Sequence, residues 1–186
     1  MSNKSSLYRK EPTWFCNRLK SRLNIPANAT SWIYEAGSIT QRLRDYYGSS
    51  VRVQVLNNQW QRAFISESRL LKTHPEKYTL TREVLLYADD TPLVLARTII
   101  PERTISSAQQ NLSHLGNRPL GEVIFSYPQL ERLALEIAQV PCNSWKPSVQ
   151  HLTQANQPIW GRRTIYAIHH HPLLVSEFFL PEVLNH

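Results

Sequence analysis

Tyr78-Thr-Leu-Thr-Arg82-Glu-Val-Leu-Leu-Tyr87 and Leu93-Val-Leu-Ala-Arg97-Thr-Ile-Ile100 flank the polar sequence Asp89-Asp90-Thr91-Pro92. Runs rich in β-branched and aromatic residues on either side of a short turn predict two strands closed into an antiparallel hairpin. On the N-terminal side, Val51-Arg-Val-Gln-Val55 alternates apolar and polar residues. It reads as a half-exposed strand, with Asn57-Asn58 as a turn and a second strand over Gln59 to Ile65. On the C-terminal side, Trp160 to Ile168 and Leu173 to Leu180 form a last hairpin turning at His169-His170-His171-Pro172.

Helical signals fill the intervals. A short helix is predicted over residues 13–23, with Trp14, Phe15 and Leu19 on one side. Ser38 to Tyr47 has an S-x-x-Q capping box at Ser38 and Gln41 and a stop at Gly48. Ser106 to Leu115 carries a similar capping pattern at Ser106 and Gln109, closed by Gly116. Tyr127 to Val140 shows a helical stripe of Leu130, Leu133 and Ile137. Residues 66–77 read as a connection with one helical turn, 1–12 as a loose N-terminal arm, and 141–158 as a surface loop. Hairpins in place of βαβ units imply an antiparallel sheet. The predicted fold is a single α+β domain, with about six strands and helices on one face.

The 186 residues are enough for one core. Two cysteines, Cys16 and Cys142, have no CxxC spacing, which excludes a disulfide scaffold or zinc ribbon and fits a reducing cytoplasm. The N-terminus has no apolar segment behind its charges, and no run approaches the ~20 residues of a membrane span. The formal net charge is +7. Such a balance fits either a polyanionic surface or a pocket for small anions. The basic residues are dispersed and the five tryptophans scattered, which counts against a nucleic-acid face.

Charges stand inside the predicted strands. In Pro172-Leu-Leu-Val-Ser-Glu177-Phe-Phe-Leu-Pro181, alternation puts Glu177 on one face with Val175 and Phe179. A carboxylate there either meets water or is buried with a partner. Arg97 shares a face with Leu93, Leu95 and Ile99, and Arg82 with Val84 and Leu86. A buried arginine needs an anion, from a side chain such as Glu177 or from a ligand. Arg162 and Arg163 open the last hairpin, one of them expected to be solvated. The turn Leu115-Gly-Asn-Arg-Pro-Leu120-Gly121 brings backbone N–H groups close to any oxyanion nearby, or simply stops a helix. The histidines sit in a turn, where neighbours diverge, so no metal site is predicted. These features together describe a largely apolar pocket with cationic anchors and one carboxylate, suited to a small carboxylated ligand.

Three blocks resemble the chorismate pyruvate-lyase family: Arg82 to Pro101, Leu115 to Gly121, and Trp160-Gly-Arg-Arg-Thr164 followed by Pro172 to Pro181. They occur in the family's order within a likeness running from about Ser31 to Val183. The resemblance implies a small α+β domain with flap-like helices over an internal site. It implies cleavage of chorismate to 4-hydroxybenzoate and pyruvate, the reaction that opens ubiquinone biosynthesis in many bacteria. It also implies a monomer that needs no metal or cofactor; a cytoplasmic location, no nucleic-acid partner and no membrane span are the matching expectations from the residues. By the same resemblance, Arg82 anchors the ring carboxylate, helped by the backbone at Leu120 beside Gly121. Glu177 meets the ring hydroxyl, as an orienting acceptor or as a base. Arg97 is a second cationic site. Ile39-Thr40 stands where the family carries a Met-Thr ligand contact. The alternative on this scaffold is a ligand-sensing domain without catalysis; such regulators carry a DNA-binding segment for which the N-terminal stretch here is too short.

Overall fold

In a computed structural model, residues 4–16, 23–108, 112, 114–153 and 157–185 are described. The central hairpin forms as the sequence predicts, from β3 (Tyr78–Ala88) and β4 (Thr91–Ile100). The last hairpin joins β6 (Ile159–Ile168) to β7 (His171–Phe179). Both close through two residues with at least one at positive φ: Asp89 at 50°, and His169 and His170 at 49° and 65°. The two hairpins pair through β4 and β7, so the most buried strands carry Arg82, Arg97, Arg162 and Glu177. The remaining strands are β1 (Phe15–Cys16), β2 (Val51–Arg62) and β5 (Glu131–Val140). All pairings are antiparallel, and the seven strands run in the order β1-β5-β6-β7-β4-β3-β2.

Several segments differ from the sequence expectation. Residues 51–62 are one strand, without a turn at Asn57-Asn58. A bulge between Val55 and Asn57 inserts one residue, and the switch in alternation imitates a turn. The predicted helix over Tyr127 to Val140 is β5. Its bulge between Arg132 and Ala134 breaks the period of two, leaves Leu133 exposed, and produces the helical spacing of Leu130, Leu133 and Ile137. Pairing with β6 outweighs the helix preference of its Leu, Ala and Glu residues. In the segment predicted as a first helix, Phe15–Cys16 pairs with β5 as a strand; residues 17–22 lie outside the described residues. The helix expected from Ser106 instead starts at Glu102, with Pro101 before it, so Ser106 lies inside it; Gln109 lies outside the described residues.

Helices α1 (Ala27–Ile33), α2 (Ile39–Tyr47), α4 (Glu102–Ser107) and α5 (Leu120–Ile124) cover one face of the sheet. Ser38 caps α2, its Oγ accepting from the Gln41 N–H at 3.3 Å, but the Gln41 side chain donates to Asp45 at 2.9 Å, so only half of the predicted box forms; Gly48 ends the helix at φ 64°. The opposite face is covered as well, by α3 (Ile65–Leu70), by α6 (Pro147–Gln150) and by the N-terminal arm. The arm is packed where it is described: Leu7 and Tyr8 are buried, and Tyr8 bridges to Trp145. The 141–158 stretch likewise contributes buried Trp145 and Val149 to this second core.

Beneath the arm lies a buried ionic cluster. Arg97 is fully buried, with Nε and Nη2 donating to the two oxygens of Glu67 at 2.8 and 3.0 Å, and Nη1 donating to Glu83 at 2.7 Å. Ser5 and Ser6 also bond Glu83. Burial alone would push the Glu83 carboxyl up; Arg97 and the two serines more than reverse this and hold it below its ordinary value. Arg97→Met should therefore leave two buried carboxylates without their cation and cost about 3–5 kcal/mol of stability. The melting temperature should fall by a large amount, with turnover per folded molecule unchanged.

Candidate active site

Cross-strand pairing lays the helix-covered face out in rows. One row runs Arg82, Thr98, Val175, Thr164; the next runs Val84, Ala96, Glu177, Arg162. Arg82 and Glu177 are two strands and one row apart. At ~4.8 Å between strands and ~7 Å between rows, their Cα atoms stand roughly 12 Å apart. Both side chains line one pocket. Val84, Ala96, Thr98 and Val175 make the floor, Ile39 and Thr40 of α2 and Leu120 and Gly121 of α5 the rim, and Phe125 and Tyr166 further walls.

Arg82 is 3% exposed. Its Nη1 and Nη2 donate to the carbonyls of Gly116 and Arg118 at 2.9 and 3.1 Å, so the turn before α5 sets the plane of the guanidinium. Carbonyls orient the charge without cancelling it. Among the described residues no carboxylate pairs with Arg82, and burial pushes its pKa below the ordinary value while leaving it a cation. A buried guanidinium at a cavity, without a carboxylate partner among the described residues, has the charge and donors to take an anion.

Glu177 takes its partner from neither Arg82 nor Arg97. Arg162 Nε donates to its Oε2 at 2.6 Å, and the Arg162 Nη1 turns away to the carbonyls at the end of α1. Neither Arg162 nor Arg163 is solvated: both are buried, Arg163 against Glu136 at 2.5 Å on the opposite face. Glu177 also lines the pocket. Burial, then the nearby Glu177 charge, pushes the Tyr166 phenol up, so it stays protonated as a neutral wall with a donor.

Of the residues singled out in the sequence, Ile39, Thr40, Arg82, Leu120, Gly121 and Glu177 meet around this pocket. Arg97 does not: it projects from the opposite face, its donors taken by Glu67 and Glu83. Thr98 and Tyr166 carried no signal in the sequence, and Arg162 was named only as one of a pair opening the last hairpin, without its partner. Arg162 was within reach, because a two-residue turn at His169-His170 counts back to Arg162 opposite Glu177. The longer turn assumed from the sequence would have paired Glu177 with Thr164.

The starts of α2 and α5 converge on the pocket, and Gly121 makes this possible. A Cβ there would stand 2.6 Å from the Ser38 Oγ, the atom that caps α2. Farther along, Arg44 of α2 pairs with Glu122 of α5. The first-turn N–H groups of the two helices, one of them taken by the Ser38 cap, add positive potential to that of Arg82. Among the described residues, no group of three or more His, Cys, Asp or Glu is placed to hold a metal ion. Among them also, no helix is long and apolar enough to cross a membrane.

Residues 12–186 match the family model described as chorismate lyase. The chain is similar to a probable chorismate pyruvate-lyase of Methylococcus capsulatus, 41% identical over 155 residues, covering 83% of this chain and 96% of that one. A probable chorismate pyruvate-lyase of Thiobacillus denitrificans is 33% identical over 169 residues, 90% of each chain. Among solved structures, the effector domain of PhnF from Mycobacterium smegmatis superposes with a TM-score of 0.57 at 14% identity, over 78% of this chain and 90% of that one. That last likeness is one of fold alone.

Proposed function

Because the chain belongs to the chorismate lyase family, we propose that its pocket converts chorismate to 4-hydroxybenzoate and pyruvate. The observation that carries the reading is the buried Arg82, without a carboxylate partner among the described residues, sharing one pocket with Glu177 over a largely apolar floor. 4-Hydroxybenzoate has a carboxylate and a hydroxyl at opposite ends of one ring. Arg82 takes the carboxylate with the N–H groups at Leu120 and Gly121, and Glu177 accepts from the hydroxyl. The enolpyruvyl carboxylate then falls to the start of α2, at Ile39 and Thr40.

The chemistry closes on itself. The bond from the ring carbon to the enolpyruvyl oxygen breaks, and the oxygen leaves with the three-carbon fragment. The neighbouring ring carbon, which bears the hydroxyl, loses its hydrogen as a proton, and the electron pair completes the aromatic ring. The enolpyruvate collects a proton and tautomerises to pyruvate. Aromatisation supplies the driving force, so the protein's task is to hold one conformer and stabilise the charge developing on the leaving oxygen. Orientation is worth up to about 7–11 kcal/mol in favourable cases, and fixed donors in a dry site add to it. Glu177 serves this scheme as an orienting acceptor, held in place by Arg162.

In this reading α2 and α5 act as flaps, and the protein is a cytoplasmic monomer feeding ubiquinone biosynthesis. Purified protein mixed with chorismate should give 4-hydroxybenzoate, followed by its absorbance, and pyruvate in equal amount. No product with or without added metal ions would end the proposal. Gly121→Ala tests the convergence of the flaps. The new methyl group must displace the Ser38 hydroxyl, so stability should fall by about 1–3 kcal/mol. The affinity for 4-hydroxybenzoate, read by titration, should fall at least tenfold; unchanged affinity would remove the α2–α5 contact from the site.

A further inference from the structure

We infer that Arg162 is a positioning residue for this reaction, holding the Glu177 carboxylate and the start of α2 as one unit; the inference rests on the chorismate lyase reading of the pocket. Arg162 does not line the pocket and is 1% exposed. One edge of its guanidinium meets the Glu177 carboxylate at 2.6 Å. Its Nη1 reaches three main-chain carbonyls around the end of α1: Glu35 at 2.6 Å, Ile33 at 3.3 Å and Trp32 at 3.4 Å. A planar fork spans both partners at once, which a lysine ammonium cannot do.

Two of the carbonyls belong to the last turn of α1; the Glu35 carbonyl, the nearest of the three, belongs to the connection that launches α2. Within it, the Glu35 carboxylate accepts from the Gly37 N–H at 2.8 Å and pairs with Arg42 at 3.4 Å. Arg42 in turn bonds the Ser31 carbonyl at 2.6 Å, and its guanidinium lies 3.8 Å from the centre of the Trp32 ring. Arg132 adds a bond to the Glu35 carbonyl at 3.3 Å. The next residue, Ser38, caps α2, and Ile39 and Thr40 enter the pocket rim. A displacement at Arg162 therefore moves the hydroxyl acceptor and one flap together.

The test is a mutant cycle with Arg162→Lys, Glu177→Ala and the double variant, each checked for folding by circular dichroism. Arg162→Lys should lower kcat for chorismate by about tenfold to a hundredfold, the scale of small misplacements, with a smaller change in KM. In the Glu177→Ala background most of that loss should vanish, because the group being positioned is gone. Independent, multiplying losses would make Arg162 a structural residue only and overturn the inference, as would wild-type kinetics in Arg162→Lys. Should Arg162→Lys fail to fold, Arg42→Ala loosens the same connection from its outer side. It should weaken 4-hydroxybenzoate binding severalfold, and unchanged binding and turnover there would equally overturn the coupling. A wild type that forms no product in the same assay removes the functional reading itself, a result distinct from any pattern among the variants.

Discussion

Arg82→Ala should lower kcat/KM for chorismate by about 10²–10³-fold, the equivalent of ~3–4 kcal/mol, while the chain still folds. The size follows from the site. The guanidinium is buried, is aimed by the Gly116 and Arg118 carbonyls, and meets no carboxylate among the described residues. Its removal leaves the ring carboxylate in an apolar pocket with only backbone donors. Water entering the vacated space satisfies the two carbonyls, so the melting temperature should fall modestly. Arg82→Lys keeps a charge but loses the fork, and should fall between the two. 4-Hydroxybenzoate affinity should track kcat/KM across the three proteins, since the same carboxylate is held before and after reaction. Normal turnover in Arg82→Ala would remove this residue from the site.

Glu177→Ala should cost as much in rate, and the informative comparison is with Glu177→Gln. If the residue orients the ring through its hydroxyl, glutamine still offers a carbonyl oxygen and should stay within about tenfold of wild type, the loss of one charge-assisted hydrogen bond. If the carboxylate must take the ring proton, glutamine should be as poor as alanine. The orienting role predicts the first outcome, because aromatisation leaves little work for a strong base. Both variants deprive buried Arg162 of its counter-ion, so both should melt lower, and rates must be taken on folded protein.

The two central hairpins were legible because their signals are local: apolar alternation, short polar turns, and charges placed where a strand face should be apolar. The side of the sheet on which each arginine falls was not, because single bulges decide it. A two-residue turn at Asp89-Asp90 with an unbroken ladder would pair Arg82 with Arg97 on one face. The observed register shift between Leu86 and Tyr87 instead sets Arg82 opposite Thr98 and Arg97 opposite Glu83, on opposite faces. That one residue separates an anchor in the pocket from a clasp under the N-terminal arm. The strand β5 reads as a helix for a related reason: its bulge erases the period of two, and no short turn links it to β6, which follows only after residues 141–158. Glu67 and Glu83, which claim Arg97, carried no sequence signal linking them to it beyond opposite charge.

The pocket assignment is tested most directly by a crystal structure of the protein with 4-hydroxybenzoate. The ligand carboxylate should lie on Arg82 and the backbone at Leu120, with its hydroxyl on Glu177 and the ring over Ala96, Thr98 and Val175. A ligand seated beside Arg97, or one in this pocket with its ends reversed, would contradict that assignment.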